Sequence, residues 1–254
     1  MSDKAELLDL ALRVGKKAAE LLNARPDVLE VSTKSSDVDI VTQMDKASEA
    51  LIVSSILAER PNDGMIGEEG AERESTSGIT WVIDPLDGTV NYFYGMPGWN
   101  VSIAAKDKDG VLAGVVVSPT INSTWWATRG GGAFHNGKKL TCNDPVELNR
   151  TMLATGFAYE PEKRSLQLDF INKLLPHIRD IRRNGAAAVD LCFVGSGNVD
   201  AYFESGLHEW DIAAGGLIAQ EAGAIMSQHQ IGGQNFVLTA GPHLHQILKN
   251  TLGL

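Results

Sequence analysis

The chain of 254 residues is 43% hydrophobic and 21% charged, the composition of an ordinary globular protein with a large core. Its formal net charge of −10 argues against non-specific nucleic-acid binding, so we expect no direct nucleic-acid partner. No apolar stretch reaches the roughly 18 residues of a membrane span, and the charged N-terminus lacks the apolar core of a signal peptide. We therefore expect a cytoplasmic protein without membrane contact.

The predicted elements of the first half begin with a helix. Apolar residues recur at helical spacing over residues 3–23 and predict a first helix, which Pro26 ends. A polar, strand-like segment follows, and residues 45–59 predict a second helix that stops before Pro61. Beyond residue 80 the pattern predicts a sheet of hairpins, because β-rich runs are separated by Gly, Pro and Asn: "TWVID", "NVSIAAKD", "VLAGVVVSP" and "STWWATRG".

A composition shift near residue 150 divides the chain into two predicted halves. Residues 1–150 form an N-terminal α+β half, and residues 151–254 form a C-terminal α/β half. The second half contains "WDIAAGGLIAQEAGA", a helical pattern so dense in alanine and glycine that it should pack closely. We expect layers of helices and strands in two halves, with the functional site in the crevice between them.

Acidic residues lie at the ends of predicted elements. Glu68 follows the strand "MIG", Asp84 and Asp87 follow "WVI", and Asp211 opens the last buried helix. Carboxylate and carbonyl oxygens are the ligands that Mg²⁺ prefers, so the Leu86 carbonyl between the two aspartates is a further candidate. Two cations bridged by such a turn lie about 3.5–4 Å apart and can clamp attacking and leaving oxygens.

The residues after this turn suit a phosphate group. Gly88 and Thr89 begin a predicted helix, whose free backbone N–H groups can bind phosphate, and the Thr89 hydroxyl can orient a water. Taken singly, each acid has a simpler interpretation: a solvated surface residue for Glu68, and a helix cap for Asp211 or the aspartate pair. The interpretation as a metal and phosphate site depends on their conjunction.

Three motifs in this order, "GEEG", "WVIDPLDGTVNY" and "WDIAAGGLIAQEAGA", resemble the inositol monophosphatase family of magnesium-dependent, lithium-sensitive phosphatases related to fructose-1,6-bisphosphatase. The resemblance runs from the first helix to about Met226. It implies an α+β fold, a layered αβαβα sandwich of the sugar-phosphatase type with two sheets and helices between and outside them. It also implies a phosphomonoesterase that hydrolyses inositol monophosphate and related polyol phosphates, with two to three Mg²⁺ ions per active site and Mn²⁺ as a weaker substitute.

The resemblance also assigns roles to individual residues. The implied metal ligands are Glu68, Asp84, the Leu86 carbonyl, Asp87 and Asp211, of which only Asp211 comes from the C-terminal half. The turn formed by Leu86, Asp87, Gly88 and Thr89 holds the phosphate, and Glu68 and Thr89 hold the nucleophilic water. The segment "KSSDVDIVTQMD" matches a lid-like segment whose catalytic residues are Lys34 and Asp45, with Asp45 hydrogen-bonded to Thr89.

The implied substrate contacts come mostly from the C-terminal half. The backbone of Gly185, Ala186 and Ala187 touches the polyol together with Asp211, and Glu204 accepts hydrogen bonds from substrate hydroxyls. The family often has Ser or Thr where Ala186 stands, so a side-chain contact is lost there. The segment "SQHQIGGQNF" is shorter than usual, which we interpret as a trimmed surface hairpin.

Other functions remain open within the resemblance. The same chemistry can act on histidinol phosphate, fructose 1,6-bisphosphate or a 3′-phosphonucleotide, although Glu204 favours polyol monophosphates because an acid suits hydroxyls and repels a second phosphate. Some relatives also bind transcription machinery, so an interaction role is an alternative of another class. Relatives are commonly homodimers, and the aromatic run "NYFYGMPGW" is a candidate interface or a part of the core.

Overall fold

The computed structural model describes residues 4–34 and 38–254. Its α-helices are α1 (Lys4–Asn23), α2 (Gln43–Glu59), α3 (Thr89–Phe93), α4 (Pro161–Leu174), α5 (Ala187–Gly195), α6 (Glu209–Glu221) and α7 (Pro242–Leu252). Asp3, at the start of the predicted first helix, and residues 35–37 of the predicted lid-like segment lie outside the described residues.

The strands form three sheets. A two-stranded sheet pairs β1 (Val31–Thr33) with β2 (Ile40–Thr42). An eight-stranded sheet has the order β10-β9-β8-β7-β6-β5-β3-β4, from β3 (Gly64–Gly67), β4 (Glu72–Arg73), β5 (Thr80–Asp87), β6 (Asn100–Asp107), β7 (Gly110–Ser118), β8 (Ser123–Thr128), β9 (Gly132–His135) and β10 (Lys138–Lys139). A five-stranded sheet has the order β12-β11-β13-β15-β14, from β11 (Met152–Thr155), β12 (Asp180–Arg182), β13 (Ala201–Ser205), β14 (Ile225–Ile231) and β15 (Gln234–Ala240).

Helices and sheets alternate in five layers. Helices α1 and α2 pack on one face of the eight-stranded sheet, and α5 and α6 pack on its other face. The same α5 and α6 cover one face of the five-stranded sheet, whose other face is covered by α4 and α7. Because each sheet is apolar on both faces, each must be covered on both sides. The predicted αβαβα sandwich is therefore confirmed.

The middle layer packs as closely as its alanine and glycine content predicts. A Cβ added to Gly215 of α6 would lie 2.8 Å from the Ala188 carbonyl oxygen of α5. A Cβ on Gly114 of β7 would lie 2.9 Å from the Cα of Ala214. Small residues at these positions allow α6 to approach both α5 and the eight-stranded sheet at backbone contact distance.

The predicted elements of the first half agree with the structure, apart from their bounds. Helix α2 begins at Gln43 rather than residue 45, because the Thr42 hydroxyl accepts a hydrogen bond from the Met44 N–H at 3.1 Å and caps the helix. Strands β5 to β9 form the expected antiparallel ladder. The short segment after Met226 forms a tight hairpin of β14 and β15, whose turn residues Gly232 and Gly233 both have positive φ.

Strand direction brings the two N-terminal acidic motifs together. Strand β3 is parallel to β5, and Gly67 is paired with Ile83. Glu68 and Asp84 therefore leave neighbouring strands at the same edge of the sheet, and the Glu68 N–H donates to the Ile83 carbonyl at 3.2 Å. None of the described helices is long and apolar enough to span a bilayer.

Candidate active site

A cleft of about 640 Å³ lies at this edge. It is bordered by the β3 and β5 ends from one side and by the N-termini of α5 and α6 and the end of β13 from the other. Asp45 is the one predicted site residue that does not line the cleft. The others all do: Lys34, Glu68, Asp84, Leu86, Asp87, Gly88, Thr89, Gly185, Ala186, Ala187, Glu204 and Asp211.

The turn at the end of β5 is fixed from several directions. The register of β5 on β6 shifts between Asp84 and Asp87, so the chain bulges where the acids emerge. The Leu86 N–H donates to Asp84 Oδ1 at 3.1 Å, and Ser48 of α2 donates its hydroxyl to the Pro85 carbonyl at 2.8 Å. Gly88 has a φ of 86°, which a side chain would strain.

Asp87 joins the eight-stranded sheet to helix α5 of the middle layer through its carboxylate. Its Oδ2 accepts from Asn100 Nδ2 and from the Ala188 N–H, both at 2.8 Å, and its Oδ1 accepts from the Ala187 N–H at 3.2 Å. Burial raises the pKa of Asp87 to about 6 against the lowering effect of these donors. The Ala187 N–H, expected to face the polyol, thus donates to Asp87 in this structure.

Glu68 is held by a cation from the predicted lid-like segment. Lys34 Nζ lies 2.8 Å from Glu68 Oε1 and also donates to Glu69. Burial lowers the pKa of Lys34, but the two carboxylates outweigh burial and raise that pKa above its ordinary value. Glu49 of α2 fixes the same loop, because its carboxylate accepts from the N–H groups of Glu69 and Ala71, both at 2.9 Å.

Thr89 and Asp45 form the hydrogen bond that the resemblance implies. The Thr89 hydroxyl donates to Asp45 Oδ1 at 2.8 Å and lies 3.1 Å from the Leu86 carbonyl oxygen. Asp45 Oδ2 accepts from both the N–H and the hydroxyl of Thr42, at 2.8 and 2.6 Å. Asp45 is fully buried behind Thr89, which explains why it does not line the cleft itself.

The C-terminal half supplies two more acids. Asp211, in the first turn of α6, accepts a hydrogen bond from the His208 N–H at 2.6 Å, so it acts as a helix cap in this structure. Glu204 on β13 accepts from the Tyr202 hydroxyl at 2.7 Å. Burial raises the pKa of Glu204 to about 7, although Tyr202 and Arg183 act in the opposite direction.

The donor set fits a hard cation by its chemistry. Burial and the charges of Glu68, Asp87 and Asp211 raise the pKa of Asp84 well above its ordinary value. Buried like charges destabilise one another, and a divalent cation among hard oxygen ligands would remove that repulsion. Within residues 4–34 and 38–254, however, no three His, Cys, Asp or Glu side chains are already arranged to hold an ion. The side chains instead keep protein partners, as with Lys34 and Glu68.

Comparison with known proteins identifies the family of the chain. The sequence model of the inositol monophosphatase family matches residues 3–250. The chain belongs to the inositol monophosphatase family. Nus factor SuhB of Escherichia coli (strain K12) is 42% identical over 238 residues, which are 92% of this chain and 88% of that protein. Inositol-1-monophosphatase of Mycobacterium bovis is 40% identical over 221 residues, which are 83% of this chain and 76% of that protein.

Solved structures share the whole fold. The extragenic suppressor protein suhB from Bartonella henselae superposes with a TM-score of 0.90 at 29% identity, covering 97% of this chain and 98% of that one. Members of this family are phosphatases and generally depend on metal ions. The buried acids of this chain are therefore consistent with the metal-dependent chemistry of its phosphatase family.

Several residues that support or line the cleft have no signal in the sequence. Glu49 holds the loop after β3, and Asn100 holds the Asp87 carboxylate. Tyr202 holds Glu204. No pattern indicates them, because each reaches its partner through tertiary packing. Arg183 is missed for another reason: it immediately precedes the predicted segment "NGAAAVD", and its neighbour Arg182 looks equivalent in the sequence.

Proposed function

We propose that the protein is a magnesium-dependent phosphomonoesterase that hydrolyses inositol monophosphate and related polyol phosphates. The observation that carries the proposal is the convergence of four acids on one cleft: Glu68 after β3, Asp84 and Asp87 at the end of β5, and Asp211 in α6. The relative from Mycobacterium bovis, named an inositol-1-monophosphatase, supports the substrate class.

The proposed metal ligands are the carboxylates of Glu68, Asp84, Asp87 and Asp211 and the carbonyl of Leu86, for two to three Mg²⁺ ions with Mn²⁺ as a substitute. All are hard oxygen donors, and no soft ligand lines the cleft among the described residues. Bound cations supply Lewis-acid stabilisation of the charge on the phosphoryl oxygens. Glu68 and Asp211 would exchange their present partners, Lys34 and the His208 N–H, for this role.

The chain's own groups position the other reactants. The backbone N–H groups of the turn from Leu86 to Thr89 bind the phosphate. The Thr89 hydroxyl, already donating to Asp45, accepts from the attacking water and orients it, and the Glu68 carboxylate takes its proton. In this structure Lys34 balances the charge of Glu68 and Glu69 at this part of the cleft.

The alcohol of the ester lies against the C-terminal half. Glu204 accepts hydrogen bonds from its hydroxyls, while the backbone of Gly185, Ala186 and Ala187 and the first turn of α6 at Asp211 bound the same space. Ala186 brings no hydroxyl of its own to this contact. The roles are divided between the two halves of the chain. We assign most metal ligands to residues 1–150 and the polyol contacts to residues 151–254.

The experiment is a screen of the purified protein with Mg²⁺ against about a dozen phosphate esters, chosen to span polyol phosphates, sugar phosphates and phosphonucleotides. Inositol 1-phosphate should be among the best substrates. The alternatives are histidinol phosphate, fructose 1,6-bisphosphate and 3′-phosphonucleotides, and a strong preference for one of them would move the assignment there. No phosphate release from any ester would refute the proposal.

We also propose three properties typical of this family. The enzyme is a cytoplasmic homodimer, and lithium inhibits it uncompetitively by occupying a magnesium position after hydrolysis. Inhibition by lithium that disappears at saturating substrate would contradict that mechanism.

A second candidate function is an interaction with transcription machinery. It is favoured by one observation: the 42% identical relative from Escherichia coli is named a Nus factor. A pull-down with wild-type protein and with Asp84→Asn would separate the two functions. A partner that remains bound after the loss of Asp84 would support a role independent of catalysis.

A further inference from the structure

Two histidines outside the cleft direct a ring nitrogen at the same oxygen atom. Ser227 Oγ lies 2.7 Å from His229 Nε2 and 2.8 Å from His245 Nε2. Both nitrogens are thus within hydrogen-bond distance of one point between β14 and α7. None of these three residues lines the cleft, so the proposed phosphatase chemistry does not use them.

The two rings are held in place by separate, well-packed elements. His229 lies on β14, which is paired with β15 residue by residue. His245 lies on α7, where its N–H donates to the Gly241 carbonyl at 2.8 Å and its side chain is buried. Leu244 and Leu248 anchor the same helix in the core against this sheet. Packing therefore fixes the position of both imidazoles before any ligand binds, as a binding site requires.

Both imidazoles are neutral near pH 7. Burial, followed by the charge of Lys249, lowers the pKa of His229 and of His245 below the ordinary value of 6.5. His229 adds a further lowering effect on His245. A neutral imidazole has a nitrogen lone pair for a metal ion, which an imidazolium lacks.

The hydroxyl between the rings fixes their tautomers. It has one proton, so it donates to one Nε2 and accepts from the other, which must then carry a proton of its own. One imidazole is therefore protonated at Nε2 and the other at Nδ1. Moving the first ring's proton from Nε2 to Nδ1 keeps that ring neutral. It leaves two lone pairs directed at the same space.

Nitrogen ligands select a different ion from the one expected in the cleft. Imidazole suits Zn²⁺, Cu²⁺ and Ni²⁺, whereas Mg²⁺ prefers oxygen ligands. Among the described residues, no third His, Cys, Asp or Glu completes the pair, so the Ser227 hydroxyl and water would take the remaining positions of a four-coordinate ion. Access is possible from one side, because β14 is the edge strand of its sheet and His229 is only partly buried.

We propose that His229 and His245, together with the Ser227 hydroxyl, bind one divalent transition-metal ion of the zinc, copper and nickel class. The ion takes the place of the hydrogen bonds that now join the two rings and links β14 to α7. The nearby charge of Lys249 opposes it, and two protein nitrogens hold it less firmly than three or four. Occupancy therefore follows the free metal concentration. Because the folded chain presents the paired imidazoles, the bound ion stabilises the fold.

The test is a calorimetric titration of the purified chain with Zn²⁺ near neutral pH, in saturating Mg²⁺ to occupy the acids of the cleft. A parallel sample with Cu²⁺ is measured by electron paramagnetic resonance, in which nitrogen couplings identify imidazole ligands. The site variants are His229→Gln and His245→Gln. His243→Gln is the matched control, because His243 is exposed on the same helix as His245.

His229→Gln and His245→Gln should each weaken Zn²⁺ binding by about 100-fold or more, since even the loss of a group that supports a ligand weakens metal binding by about 10–100-fold. Each should also remove the nitrogen couplings of Cu²⁺ and the increase in melting temperature that Zn²⁺ causes in the wild type. His243→Gln should leave all three unchanged. Ser227→Ala should keep most of the affinity, because both imidazoles remain. Lys249→Gln should tighten binding, by a factor that shrinks as salt is added.

The opposite results are equally clear. A wild-type chain that binds no Zn²⁺ would overturn the inference. Equal Zn²⁺ affinity in the wild type and the histidine variants would assign the ion to the acids of the cleft and also overturn it. His229→Gln keeps the test valid if the variant of the buried His245 does not fold, because His229 lies partly exposed on an edge strand. None of these measurements depends on phosphatase activity.

Discussion

Asp84 shows how a single buried carboxylate indicates a ligand. It is only 2% exposed, and its carboxylate accepts a hydrogen bond from the Leu86 N–H. Three further acids, Glu68, Asp87 and Asp211, border the same cleft. A buried charge without a cationic partner is costly, which is why such groups occur mainly at functional sites. The repulsion is the physical reason to expect a cation there.

The first prediction is that Asp84→Asn lowers kcat by about 10³ or more, because it would remove the charge of a proposed metal ligand, worth several kcal/mol at the transition state. Without metal the variant should be at least as stable as wild type, since one repelling charge is gone. Turnover and thermal unfolding are the measurements. Asp109→Asn, at an exposed turn, is the control and should change neither quantity. A variant that keeps a tenth of wild-type turnover would show that Asp84 is only structural.

The second prediction concerns Glu204 and its support. Glu204→Ala should lower kcat/KM for inositol 1-phosphate by about 10–100-fold, the range of a charge-assisted hydrogen bond. It should lower kcat/KM far less for glycerol 2-phosphate or p-nitrophenyl phosphate, whose alcohols offer few hydroxyl groups to this carboxylate. Tyr202→Phe should show the same selectivity with a smaller loss, because the Tyr202 hydroxyl only holds Glu204 in place. Equal losses on all esters would assign Glu204 to the metal site or the fold.

Among the elements, those with a local signal can be predicted from the sequence. The period of α1, the alternating strands β5 to β9 and the small residues of α6 each indicate their own packing. The acids of the cleft can be found because they follow such elements directly. Contacts made by distant residues cannot be found in this way: Asn100 reaches Asp87, and Glu49 reaches the loop after β3, only once the sheet is folded. Nor does the sequence distinguish Arg182 from Arg183, because their difference lies in which one has an acid beside it.

The third prediction is that a histidine cluster between β14 and α7 makes the fold less stable in mild acid. Ser227 Oγ lies 2.7 Å from His229 Nε2 and 2.8 Å from His245 Nε2. Burial, followed by the charge of Lys249, lowers the pKa of both histidines below the ordinary value of 6.5. The native state therefore binds fewer protons than the unfolded state just below pH 6.5, so stability is present above that pH and is lost as pH falls.

The measurement for this cluster is the urea midpoint between about pH 5 and 8, taken with saturating Mg²⁺ so that the proposed metal ligands contribute little, and the wild type is compared with variants that share the other acids of the cleft. The double variant His229→Gln/His245→Gln should show a smaller decrease towards pH 5 than wild type, whatever its absolute stability. His243→Gln is the control, because His243 is exposed and lies on α7, the helix that carries His245. Equal slopes in the wild type and the double variant would contradict the prediction.

At the scale of the molecule, the cleft lies where two sheets and their shared middle layer meet. Glu68, Asp84 and Asp87 come from the eight-stranded sheet, and Asp211 comes from α6 of the middle layer. Cations bound among them would replace repulsion between these layers by attraction. Ligand binding and folding stability are then linked through the same groups.

The fourth prediction follows from this linkage. Mg²⁺ at about 100 times its dissociation constant should stabilise the fold by about 2.7 kcal/mol and raise the melting temperature by about 5–10 °C for a chain of this size. A chelator should abolish both the stabilisation and the activity, and added Mg²⁺ should restore both. Asp84→Asn should show a much smaller thermal shift. An enzyme that is fully active in excess chelator would refute the metal requirement.

The fifth prediction concerns assembly. The aromatic run after the catalytic turn is divided by the structure: Tyr92 and Trp99 are buried and pack edge to face at 5.1 Å, whereas Tyr94 and Met96 are 71% and 53% exposed. A second copy of the chain would cover these two side chains, so wild-type protein at micromolar concentration should sediment at twice the chain mass of 27.3 kDa. The double variant Tyr94→Glu/Met96→Glu should sediment at 27.3 kDa, because it would bury two unpaired charges in the interface. Leu168→Glu, at another exposed apolar residue, is the control and should leave the dimer intact. A wild-type protein that sediments as a single chain would show that these side chains are solvated and would refute the proposed homodimer.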